Sequence, residues 1–193
     1  WIDDICVPAI ISPDRRLHGM LEFRDREVTA ARIDVAFPVL HGKNGEDGTL
    51  QGLLTMAGIP FVGCGALGSA MCMDKDVAHR LVNAAGIEVP PSVVLRSKVS
   101  DADLFERIGT LEFPLFVKPV SAGSSFGITK VLQKDEIPVA VAEAFQHDDK
   151  VIIEEAIEGF EVGCAILGND SLIVGELDEI ELSGGFFDYE EKY

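Results

Sequence analysis

The sequence predicts an α/β layer followed by an α+β unit. Three observations carry that prediction. Residues 33–62 run strand, loop, helix, strand by apolar periodicity. Gly63, Gly65 and Gly68 then loosen the chain. From residue 92 onward, short apolar runs of strand length outnumber helical ones. The glycines set the expected boundary, giving one domain over 1–68 and a second over 69–193.

The first layer is expected to begin with a buried strand over Ile33–Leu40, closed by the glycine-rich turn His41-Gly42-Lys43-Asn44-Gly45. Asp47 is placed to cap a helix whose apolar face is Leu50, Leu53, Leu54 and Ala57, with Gly58 as its stop. Ile59-Pro60-Phe61-Val62 resumes a strand. A second helix begins at Ser69 or Asp74 and carries the stripe Val77, Ala78, Leu81, Val82 and Ala85. Gly86 ends it, and Pro90-Pro91 forbid its continuation. In the second part, Ser92–Leu95, Leu115–Lys118, Gly127–Leu132, Val151–Glu155 and Val162–Leu167 read as strands, with Ile137–Phe145 as a helix between two of them.

Composition narrows the function. A hydrophobic fraction of 47% with 25% charged residues is that of a chain that can bury a core. No run approaches the ~18 uninterrupted apolar residues of a membrane helix. The net charge of −17 opposes nonspecific binding to nucleic acid or to an anionic membrane surface. It is also uneven. Residues 1–134 carry 16 acidic and 14 basic side chains, whereas 135–193 carry 17 acidic ones against Lys150 and Lys192. Cys6, Cys64, Cys72 and Cys164 lack metal-ligand spacing and demand no disulfide, which suits the cytoplasm. The chain starts at Trp1 and stops at Tyr193, and neither end has the character of a natural terminus. It is read as a piece of a longer protein.

Four constellations carry chemistry. Phe116-Val117-Lys118-Pro119 sets a lysine at the end of an apolar strand, where its burial is costly unless an anion meets it. The loop that follows, Ser121 to Gly127, is small and hydroxyl-rich, so backbone N–H groups can approach phosphate oxygens. It is not the GxxxxGK[ST] pattern. Glu154 and Glu155 close a strand and face opposite ways, and Glu161, seven positions after Glu154, can accept hydrogen bonds from sugar hydroxyls. His41 to Gly48 combines three glycines with a helix start, a seat for an anion, where His41 and Glu46 can orient a carboxylate or an amine. Met73-Asp74-Lys75 places one more lysine at a helix start. Each constellation also has a bland reading: a hairpin turn, exposed carboxylates, a structural histidine, a surface lysine.

In this order the residues resemble the D-alanine–D-alanine ligase family of the ATP-grasp superfamily. The carrying stretches are His41-Gly42 to Gly48 with Gln51-Gly52, Met73-Asp74-Lys75, Val117-Lys118-Pro119, Gly123-Ser124-Ser125-Phe126-Gly127, Glu154-Glu155 with Gly159-Phe160-Glu161, and Phe187-Asp188-Tyr189-Glu190-Glu191-Lys192-Tyr193. The wording around Phe160–Cys164 and from Glu176 to Phe187 is similar to the vancomycin-resistance D-alanine–D-serine ligases.

The resemblance implies an incomplete ATP-grasp fold: part of an N-terminal α/β domain plus the central ATP-binding subdomain. It implies that Lys75 and Lys118 bind ATP phosphates, that Ser121, Gly123, Ser125 and Gly127 belong to the loop covering them, and that Glu154, Glu155 and Glu161 hold the nucleoside. His41 and Glu46 sit at the first D-alanine, and Ser124 near its reacting carboxylate. Lys192 and Tyr193 open a mobile loop over the site, with Tyr193 hydrogen-bonded toward Ser124. Tyr193 favours an amine as the second substrate, D-alanine or D-serine. Two Mg2+ ions complete the expected site, their ligands lying beyond Tyr193, so that residues 1–193 alone are expected not to turn over. A homodimer is implied too. Two other readings stay open: another ATP-grasp carboxylate–amine ligase, or a truncated nucleotide-binding module.

Overall fold

A computed structural model of the protein describes residues 6–180. The chain forms two compact units. The first runs to Ile87 and also takes Val120–Gly123. The second takes Glu88–Pro119 and the described chain from Ser124 onward.

The first unit opens with an antiparallel meander of β1 (Ala9–Ile11), β2 (Gly19–Arg24) and β3 (Glu27–Arg32), which the sequence reading did not foresee. Asp25, with φ 51, makes the tight β2–β3 turn, a backbone form that Asp tolerates better than most residues. The expected strand over Ile33–Leu40 is corrected. It pairs at one residue, a parallel bridge of Ala36 to Phe61, with Ala36 N donating to Pro60 O and Val62 N to Ala36 O. Val35, Phe37 and Val39 are exposed, so the apolar run lacks the two covered faces that define a buried strand.

Helix α1 (Thr49–Ala57) buries Leu54 and Ala57 and ends at Gly58, whose φ of 72 gives the left-handed C-cap. Its N-cap is Gly48, not Asp47. Asp47 stands one residue earlier and accepts from Thr49 N at 3.0 Å. Of the two starts expected for the second helix, Ser69 or Asp74, the structure has Asp74, and a separate helix precedes it. α2 (Ala66–Met73) breaks at Asp74, whose carboxylate caps α3 (Lys75–Ala84) by accepting from Val77 N at 2.9 Å. The stripe foreseen on α3 is not buried, since Leu81 and Val82 are exposed.

The second unit is built on an antiparallel sheet in the order β4 (Ser92–Leu95), β7 (Val151–Glu155), β5 (Leu115–Pro119), β6 (Thr129–Val131). All four coincide with expected strands. Strand β5 shows why one sheet can serve two purposes. Leu115 and Val117 are fully buried, while Phe116 and Lys118 alternate onto the other face. Helices α4 (Asp101–Arg107) and α5 (Ile137–Ala144) close the buried face, with Leu104, Ile137 and Ala144 packed against Leu115, Val117 and Ile153. Helix α4 was not foreseen, although Ser100 caps it in an S-x-x-D pattern and accepts from Asp103 N. β8 (Glu161–Leu167) and β9 (Ile173–Ile180) form a separate two-stranded ribbon.

Candidate functional site

The open face of the four-stranded sheet holds the first group of functional side chains. Glu154 pairs in register with Phe116, and Phe116 with Lys130, so these three form one row across β7, β5 and β6. Lys118, two residues along β5, joins them on the same face. Its ammonium is ion-paired with Glu154 Oε1. Both side chains are largely covered, Lys118 at 19% and Glu154 at 7% exposure. Neither charge would be stable there alone, because an unpaired buried ion costs several kcal/mol, on the order of 3–5 when one partner is removed. Two ammonium groups stand over the Phe116 ring, Lys118 Nζ 5.0 Å and Lys130 Nζ 5.7 Å from its centroid. These groups line a cavity of about 380 Å3 whose rim includes Ile157 and Glu161.

Glu155 borders the same cavity but has a structural partner, the backbone N–H of Glu112 at 2.8 Å. Glu161 is exposed at the first position of β8. After β5 the chain enters the serine-glycine loop. Ser124 (φ 51), Ser125 (φ 56) and Gly127 (φ 71) all take left-handed backbone. Two consecutive non-glycine residues in that region are unusual, and such strain clusters where a loop's shape serves a ligand.

The first unit holds the second group. Gly42 N donates to Glu46 Oε2 at 2.6 Å, closing the turn after His41 on itself. Gly123 lies against that turn. A Cβ on it would stand 2.8 Å from Gly42 Cα, closer than real side chains come, so only glycine fits. Lys75 Nζ donates to Ala122 O at 2.9 Å and to Val120 O at 3.3 Å, tying the start of α3 to the segment that carries Gly123. Glu46, Gln51, Ser69, Lys75 and Gly123 line a cavity of about 500 Å3. Partial burial pushes the Asp47 carboxyl up. The N–H groups of Asn44 and Thr49 outweigh it and leave the carboxyl below its ordinary value.

The expected residues thus gather in two places. Lys118, Glu154, Glu155 and Glu161 share one cavity; Glu46, Lys75 and Gly123 share the other. His41 is exposed and Ser121 half-buried, each at the edge of a glycine turn. Lys192 and Tyr193 lie outside the described residues. The sequence reading missed Phe116 and Lys130 as cavity residues. Phe116 was findable, since it sits two positions before Lys118 on one strand. Lys130 became visible only with the β5–β6 register. Among the described residues, no group of three or more His, Cys, Asp or Glu is arranged to hold a metal ion. No helix among them is long and apolar enough to cross a membrane.

The chain also matches known proteins. The family described as D-ala D-ala ligase C-terminus matches residues 81–193, and that described as D-ala D-ala ligase N-terminus matches residues 9–64. The chain is 52% identical over 183 residues to the vancomycin B-type resistance protein VanB of Enterococcus faecalis, covering 94% of this chain and 52% of that protein. It is 51% identical over 176 residues to D-alanine–D-alanine ligase A of Chromobacterium violaceum, covering 91% of this chain and 48% of that one. The crystal structure of VanG D-Ala:D-Ser ligase from Enterococcus faecalis matches with a TM-score of 0.82 at 57% identity, covering 97% of this chain and 53% of its own. The chain spans about half the length of the curated relatives it matches.

Proposed function

We propose, for a chain that belongs to the D-alanine–D-alanine ligase family, that the whole protein is an ATP-dependent ligase joining D-alanine to a second D-amino acid for peptidoglycan precursors. The observation that carries this reading is the Lys118–Glu154 pair beside the Phe116 ring in the second unit's cavity. A flat ring offers a face to a nucleobase. Glu154 offers a carboxylate to an exocyclic amine, and Lys118 a cation to phosphate. Glu161 on the rim suits ribose hydroxyls.

On this reading the γ-phosphoryl group of ATP passes to a carboxylate oxygen of D-alanine, the bond to the β-phosphate breaks and ADP leaves, giving an acyl phosphate. The amine of the second substrate attacks the acyl carbon. The C–O bond to phosphate breaks, and the amine's proton passes to solvent. Lys75 and Lys118 neutralise phosphate charge, magnesium would add to that neutralisation when bound, and positioning does most of the work. Ser121, Gly123, Ser125 and Gly127 form the loop over the phosphates. Ser124 stands near the reacting carboxylate; His41 and Glu46 orient the first D-alanine; Lys192 and Tyr193 are further substrate-binding residues. The reading also places the protein in the cytoplasm as a homodimer, with residues 1–68 and 69–193 as its substrate and nucleotide portions. D-Serine is the favoured second substrate, which the likeness to the VanG D-Ala:D-Ser ligase supports.

The test is phosphate release from ATP by the full-length protein with D-alanine alone, then with D-serine or D-lactate added, the products being identified by mass. D-Alanyl-D-serine in the mixed assay is the expected result. D-Alanyl-D-alanine alone would leave the ligase reading and remove the D-serine preference. Phosphate release that ignores D-amino acids would sink the ligase reading.

A further inference from the structure

The loop that ends at Gly127 holds an unfavourable shape, and something must hold it there. Ser124 and Ser125 are left-handed without being glycine. Both neighbours of the loop's end are identifiable. The Phe126 ring meets the imidazole of His147 edge to face, with centroids 4.7 Å apart and planes at 66°. A Cβ on Gly127 would stand 2.6 Å from His147 Cδ2 and 2.9 Å from Pro119 Cγ. The end of the loop is therefore clasped between Pro119, the last residue of β5, and His147.

His147 is itself well anchored. It lies just past α5, and its N–H donates to Ala144 O at 3.1 Å. Ala144 is fully buried, and α5 is packed into the core of the sheet through Ile137, Ala140 and Val141. A line of contact thus runs from the core through α5 to His147, then to Phe126 and Gly127, and so to the two strained serines. We infer that His147 is a positioning residue that holds the Ser124–Gly127 turn in its nucleotide-binding shape. The inference rests on the nucleotide-dependent reading above and adds a residue to it. The role needs an aromatic edge under Gly127, and no proton transfer.

The experiment uses the full-length protein, with ATP affinity measured by calorimetry in the absence of D-amino acids and steady-state kinetics in their presence. His147→Ala is expected to weaken ATP binding by about tenfold, the upper end of an aromatic pair's contribution expressed as affinity. The KM for ATP should rise accordingly, with a smaller change in kcat. His147→Phe, which keeps the edge contact, should restore affinity to within about twofold, since the aromatic pair survives. Phe126→Ala removes the same contact from an exposed side and should reproduce the His147→Ala effect in a protein that still folds. Lys118→Ala is the control for the underlying reading. Unchanged ATP affinity in His147→Ala and Phe126→Ala, alongside its loss in Lys118→Ala, would overturn the positioning role and leave the nucleotide site standing. A failure of His147→Phe to rescue would also overturn it. Unchanged affinity in Lys118→Ala would overturn the nucleotide reading and this inference with it.

Discussion

In the second unit, Lys118 and Glu154 stand on a sheet whose other face is sealed by Leu115, Val117, Ile153 and two helices. In the first unit, Glu46 and Gly123 stand in turns, and the buried core is a small cluster of Leu54, Ala57 and Ile59. Packing fixes the first pair, and local hydrogen bonds shape the second. A charge can be buried where a rigid sheet supplies its partner at a fixed register. A turn that closes on one of its own side chains, as the Gly42 N–H closes on the exposed Glu46 carboxylate, keeps that carboxylate near water, where it can adjust. The contrast suits a rigid floor for one ligand and an adaptable seat for another.

The comparison is most strongly tested at the ion pair. Lys118→Ala should lower unfolding stability by about 3–5 kcal/mol, because it strands the Glu154 carboxylate away from water. Replacing both residues with apolar ones, Lys118→Met with Glu154→Leu, should recover most of the loss. Chemical denaturation measures both. A loss under about 1 kcal/mol for the single variant would mean the pair behaves as an exposed one. Next in size, Ile153→Ala should cost about 2–5 kcal/mol, and Leu54→Ala should fall at the low end of that range because its smaller cluster can collapse around the gap. Peptide-resolved hydrogen exchange would localise each effect. Equal losses in the two units would break the contrast. Asp74→Ala removes the cap of α3 and should cost about 1 kcal/mol, read as faster exchange over residues 75–80.

The smallest effect is acid sensitivity in the first unit. Asp47 is held below its ordinary value in the folded protein. Its contribution is therefore fully present above the unfolded value of about 3.9 and fades as pH falls through the lower folded value. Amide exchange at Asn44 and Thr49 should accelerate in that acid window, and an Asp47→Asn variant should lose the dependence.

The sheet of the second unit was legible because its strands are short and apolar and three of them start within two residues of a Pro or Gly, and all four appear where expected. The segment 33–40 misled for a related reason. Its apolar run has the composition of a buried strand, yet composition does not say what covers it, and the structure pairs it at Ala36 alone. The β1–β3 meander was hidden because charged residues such as Arg24, Arg26 and Glu27 interrupt its alternation. At the candidate site, Lys118, Glu154 and Glu46 were readable from residue type and spacing. Lys130 and His147 were not, because their neighbours are far away in sequence and are brought near by register and by the end of α5.

The meeting of Gly42 and Gly123 has a consequence for how this sequence can drift. Most packed contacts permit exchange: one side enlarges while the other shrinks. Here two backbones meet with no side chain between them, so there is nothing left to remove on either side. In a library randomised at both positions, survivors should keep glycine at 123 whatever stands at 42. The signature of the contact would be invariance, with no covariation to betray it.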